Sequence, residues 1–188
     1  MFLLYIFILF NLMEKQNLNI AKEKTVSENY FRGEVVIREV LNEESSLEQE
    51  MYHVLFKNGA ITNIHYHESE QILICTNGIG IVGLLCNDTN LIEFKTSNIE
   101  SIKILNEDDV VCIPKNRLHF HGSLNKNDFS HIAIRRKHII DNNTERYAST
   151  IWEIDLLNNL LKYDNSKINM TRLRIWEIIN SEIQKCID

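Results

Sequence analysis

Several features that mark large classes of protein are missing from this sequence. Its 188 residues hold a single proline, Pro114, and four cysteines, Cys75, Cys86, Cys112 and Cys186. No two of them form a Cys-x-x-Cys pair, and three lie in apolar runs that read as strands. Buried free thiols in a reducing compartment are therefore expected. Clustered basic residues are absent apart from Arg135-Arg136-Lys137, and the formal net charge is -6. That balance argues against nucleic acid as a partner, because binding it needs gathered Lys and Arg to displace phosphate counterions. The apolar run MFLLYIFILF at residues 1–10 is too short to span a bilayer as a helix. It also lacks the positive start and small-residue cleavage site of a signal peptide. Met13 as an alternative start, or a leader, is the preferred reading, with a cytoplasmic protein and no membrane partner expected. Helical periodicity is missing as well between residues 33 and 136.

That region holds instead about nine short strand-like stretches with turns at close intervals. Residues 34–40 are β-branched, and residues 51–57 alternate, with Tyr52, Val54 and Phe56 on one side. Residues 71–76 and 79–86 flank Asn77-Gly78, which reads as a tight hairpin. Residues 91–95 and 99–105 read as strands around Thr96-Ser97-Asn98, residues 110–113 as a buried strand, and residues 129–135 as the last. The whole is the signature of an all-β sandwich or barrel.

The texture changes after Asp141-Asn142-Asn143. Thr150 and Glu153 fit a capping box, and Ile151, Ile154, Leu157 and Leu161 follow at helical spacing. A second helix is expected with Leu173, Trp176, Ile179 and Ile183 on its apolar stripe. The expected organisation is an arm at residues 1–30, a β domain at 31–138 and a helical extension at 145–188.

The chemistry concentrates on histidine. His65 and His67 are two apart, and on a strand they point to one face. His119 and His121 repeat the spacing just after Pro114, and His131 follows on the next strand, so five of the seven histidines fall in these segments. Neutral imidazole nitrogens sharing a face are half of a divalent metal site.

Gly59, His65-x-His67, Gln71 and Gly78 keep the spacing of the first cupin motif, and Pro114 and His119 that of the second. Asp108 and Asn116 stand where that motif has glycines, and Gln71 where an acidic ligand is usual. The segments GAITNIHYHESEQ, IPKNRLHFHG and SHIAI resemble those of small single-domain cupins, over roughly residues 30 to 136. Some members of that group are manganese-dependent hydroxynitrile lyases. The resemblance implies a double-stranded β-helix (jelly-roll) barrel carrying the two C-terminal helices. It implies His65, His67, Gln71 and His119 as ligands of a divalent transition metal, manganese first, with Fe, Ni, Co or Zn as alternatives. It also implies His121 and His131 as proton-handling groups, and Tyr52, Val54 and Arg135 facing a small-molecule substrate. Lyase chemistry is the first expectation and dioxygenase chemistry the second, with a binding-only regulatory module as a third. A homodimer is a further expectation of the resemblance.

Overall fold

The computed structural model describes residues 15–42, 44–141 and 144–187, so the apolar run at 1–10 and Met13 lie outside the described residues. Among the described residues fifteen strands come first: β1 (Lys22–Lys24), β2 (Phe31–Arg32), β3 (Val35–Leu41), β4 (Gln49–Phe56), β5 (Ile61–Thr62), β6 (His65–His67), β7 (Gln71–Gly78), β8 (Gly80–Leu85), β9 (Ile99–Leu105), β10 (Val110–Ile113), β11 (His119–Ser123), β12 (Phe129–Arg136), β13 (His138–Asp141), β14 (Thr144–Tyr147) and β15 (Thr150–Trp152). Two helices follow, α1 (Glu153–Leu160) and α2 (Asn165–Lys185). No helix among the described residues is long and apolar enough to cross a membrane.

Two antiparallel sheets face each other. One has the order β1-β3-β4-β12-β7-β10; the other runs β15-β6-β11-β5-β2, with β8 on β11 and β9 on β8. Alternation explains the layering. Residues facing between the sheets, among them Val54, Phe56, Leu73, Val82, Phe129 and Ala133, form one core. The second sheet is apolar on its other face too, where Ile61, Ile64, Ile81, Leu85 and Phe120 meet Leu157, Ile168, Ile175, Trp176 and Ile179 of the helices. Gly83 lies opposite Phe120 across the β8–β11 pair, and a Cβ there would come within 2.0 Å of the Phe120 ring. Phe120 in turn meets Trp176 edge-on, with ring centroids 5.8 Å apart.

Several expectations are corrected. Asn77-Gly78 closes no hairpin, because β7 and β8 pair in different sheets. Gly78 turns the corner at φ +80°, where a Cβ would lie 2.0 Å from the Asp128 carbonyl oxygen. Residues 91–95 form turns, with Leu91 and Phe94 buried under the helices. The strand at 110–113 is an edge, leaving Val110 62% exposed and Cys112 exposed. Of the four thiols only Cys75 is buried, and burial raises its pKa to about 11. The arm before residue 31 contributes one strand, β1, to the edge of the first sheet. Thr150 is a strand residue; Trp152 caps α1, its backbone N–H donating to Asp155 Oδ2 at 3.1 Å. Leu173 is 61% exposed, and the stripe that α2 buries is Ile168, Ile175, Trp176 and Ile179.

Candidate metal centre and cavity

The central strands of the two sheets carry the histidines towards each other. His119 and His121 lie on β11, His65 pairs with His119 across β6, and His131 sits on β12 in the opposite sheet. All five imidazoles are buried. The ring centroids of His65 and His119 are 4.2 Å apart, those of His65 and His67 4.9 Å, and those of His121 and His131 5.0 Å. Burial is the main cause of lowered basicity throughout. It takes His65, His67 and His121 well below the usual imidazole range, His119 to about 4 and His131 to about 3. At neutral pH the cluster is therefore uncharged, as metal ligation requires.

Hydrogen bonds fix two tautomers. His65 Nδ1–H donates to the Asn63 carbonyl at 2.9 Å, and His119 Nδ1–H to the Arg117 carbonyl at 2.8 Å. A carbonyl can only accept, so in each neutral ring Nε2 is left with a bare lone pair. Gln71 presents Oε1 to His119 Nε2 at 3.2 Å. A cation bound to both would satisfy this contact, as would the amide turned to donate its N–H to His119. His67 Nε2 and both nitrogens of His121 and of His131 are buried without a hydrogen-bond partner among the described residues. Among the described residues, the ligand atoms of His65, His119 and His121 lie within 4.8 Å of one another, so these three could hold a metal. Ligands about 2.1 Å from a shared ion lie about 3.0–3.4 Å apart when cis in an octahedron or at tetrahedral corners, so holding an ion draws these atoms together by up to about 1.4–1.8 Å. The donor set fits a borderline divalent transition metal.

Of the residues expected as ligands, the fold thus brings His65 and His119 together with Gln71 against them. His67 is adjacent, its ring drawn by Thr150 Oγ1, 2.9 Å from Nδ1, and by the Arg135 guanidinium. A cavity of about 320 Å³ opens beside the cluster, bounded by His65, His67, Gln71, His121, His131 and, from the residues expected to face substrate, Tyr52, Val54 and Arg135. His131 packs against both Phe56 and Phe129, at centroid distances of 5.6 and 5.5 Å. Arg135 Nε pairs with Glu50 at 2.6 Å, and Glu50 also accepts from the Tyr52 hydroxyl at 2.6 Å. Burial and this bond raise the Tyr52 pKa, keeping the phenol protonated.

Three participants escaped the sequence reading. Thr150 and Trp152 reach the cavity from β15, with Trp152 stacked on His65 at 4.4 Å; Tyr30 enters from the segment before β2 and stacks on Trp152 at 4.5 Å. Only the short β-branched run at 150–151 hinted at a strand there.

Comparison with solved structures places the fold among known ones. A cupin-like protein from Thermotoga maritima is 26% identical, with a TM-score of 0.50 over 74% of this chain and 95% of its own. An oxalate oxidase is 16% identical at a TM-score of 0.53, covering 87% of this chain and 80% of its own. The DMSP lyase DddQ from Ruegeria pomeroyi is 14% identical at 0.51, covering 73% and 63%. No curated protein matches the sequence significantly. The Cupin family model matches residues 16–149, a span that takes in every strand from β1 to β14 and both histidine pairs, and the chain belongs to that family.

Proposed function

We propose that the chain is a metal-dependent enzyme acting on a small, largely apolar molecule in the cavity between the sheets, with lyase chemistry of the hydroxynitrile type as the specific reading. His65, His67, Gln71 and His119 would hold the metal. The observation that carries the proposal is the pair of Nε2 lone pairs on His65 and His119, fixed by carbonyl acceptors in a buried site. A divalent ion bound there supplies a Lewis acid that polarises a substrate oxygen.

The chain's own groups do the rest. His121 and His131 are neutral and bring unpartnered nitrogens to the cavity, so either can take the proton of a substrate hydroxyl. In the lyase reading the cyanohydrin hydroxyl loses that proton and the carbon–carbon bond to the nitrile breaks. The products are a carbonyl compound and cyanide, which leaves as HCN after recovering the proton. Arg135 is neutralised by Glu50, so the cavity favours an uncharged substrate over an anion. Tyr52, Val54 and Trp152 supply apolar walls, and the Tyr52 hydroxyl is engaged by Glu50.

Elemental analysis of protein purified without added metal tests the centre. The expected result is about one transition-metal ion per chain, lost in His65→Ala and in His119→Ala. Retention in both variants would sink the assignment. Turnover of a cyanohydrin panel without oxygen by metal-loaded protein tests the reaction. Turnover that requires oxygen moves the reading to a dioxygenase, and saturable binding without product moves it to a binding module.

A further inference from the structure

We infer that Thr150 is a positioning residue for His67: its hydroxyl accepts the Nδ1 proton and so presents a bare Nε2 to the metal shared with His65 and His119. The inference rests on the metal-centre reading above. His65 and His119 each give their Nδ1 proton to the carbonyl two residues back, at 2.9 and 2.8 Å. His67 makes no such bond on its own strand. Its Nδ1 meets two side chains, the Thr150 hydroxyl at 2.9 Å and the Arg135 guanidinium. Only the hydroxyl can take a proton, because a guanidinium has donors and no acceptor.

The two contacts have opposite consequences. When Nδ1 donates to Thr150, Nε2 is bare and can ligate; when Nδ1 accepts from Arg135, the ring's one proton sits on Nε2 and ligation is blocked. Nε2 itself is buried and makes no hydrogen bond among the described residues. Arg135 has two other acceptors, Glu50 at 2.6 Å and Thr150 Oγ1, so releasing His67 leaves it paired. Register delivers the hydroxyl: β15 lies antiparallel to β6 with Thr150 opposite His67. This strand begins just past the residues that the family model spans, so the element after the matched barrel completes the site.

Calorimetric titration of the metal-stripped full chain with Co²⁺ tests this, using the parent, Thr150→Val, Thr150→Ser, His67→Ala and the His67→Ala/Thr150→Val double variant. Valine keeps the β-branched shape and removes the hydroxyl. Thr150→Val is expected to weaken Co²⁺ binding about 10–100-fold, and Thr150→Ser to restore it to within about threefold of the parent. Added to His67→Ala, Thr150→Val should cost nothing further, since it acts only through that ring. Should valine disturb the strand, seen as a lost melting transition, Thr150→Ala makes the same comparison. Equal affinity in parent and Thr150→Val, or an undiminished loss in the His67→Ala background, overturns the role of Thr150 and leaves the metal centre standing. A parent that binds no Co²⁺, or binds it undiminished after His65→Ala and His119→Ala, overturns the metal reading and this inference with it.

Discussion

His131 is the residue on which environment acts most simply. It is fully buried against two phenylalanine rings, and burial, with a smaller contribution from His53, lowers its pKa to about 3. Above the ordinary imidazole pKa of about 6.5 the ring is neutral both folded and unfolded. Below it the unfolded chain takes up a proton that the folded ring refuses until about pH 3, so stability falls as pH falls across that window. One such group contributes a slope of about 1.4 kcal/mol per pH unit. In metal-stripped protein, His131→Leu should therefore lose about 2–3 kcal/mol less than the parent between pH 6.5 and 4.5, read from urea midpoints. An unchanged slope would mean that the ring is protonated in the folded state at ordinary pH. The histidines were legible in the sequence because their two-residue spacing matches the strand period, and Pro114 and Gln71 kept their offsets. His53 and Phe129, which set the surroundings of His131, were not, since their neighbours are chosen by sheet pairing at separations no local pattern encodes.

At the scale of elements, the junction of β15 and α1 ties the helices to the site. The Glu153 backbone N–H donates to the Ile64 carbonyl at 2.8 Å, and its fully buried carboxylate accepts from Arg172 Nε at 2.7 Å and from the Ile64 N–H at 3.3 Å. Burial raises the Glu153 pKa and Arg172 opposes the rise. Removing only the cation leaves a buried charge without its partner, so Arg172→Met should destabilise by about 3–5 kcal/mol in denaturant unfolding at neutral pH. The deficit should shrink on acidification, because a carboxyl whose folded pKa is raised is stabilised in its protonated form, below the usual carboxylate range. Replacing both partners, as Glu153→Leu/Arg172→Met, should cost less than the single change; a double variant worse than Arg172→Met would contradict this account. Glu153 also explains one misreading. Thr150 and Glu153 have the spacing of a capping box, but the carboxylate points inward to Arg172 and the threonine belongs to a strand. Asn77-Gly78 misleads for a related reason: glycine supplies positive φ to a hairpin and to a corner between sheets alike, and only the partners of β7 and β8 distinguish the two.

For the whole molecule, the relation between barrel and helices follows from a sheet that is apolar on both faces. Strand alternation revealed the inward face, while the outward-facing Phe120 and Ile81 are explained only by the helices laid over them. The amphipathic pattern after residue 150 announced two helices but not their orientation. Leu173 fits the repeat and is exposed, whereas Ile168 and Ile175 are the residues that α2 buries. The helices are thus the cover of the second core, and β15 is the strand by which the same segment reaches the histidines. Two truncations separate these roles. A chain ending at residue 152 keeps Thr150 and Trp152 but exposes Ile64, Phe120 and their neighbours, an apolar patch of the kind that soluble monomers rarely leave uncovered. It is expected to bind a hydrophobic dye, lose near-ultraviolet dichroism and melt without cooperativity. A chain ending at residue 141 should behave no better and should also lack the Thr150 contact to His67. A cooperative melt at the parent temperature from the first truncation would show that the barrel is stable without its cover, and the second core would then have to be regarded as an independent attachment rather than part of the fold that holds the site.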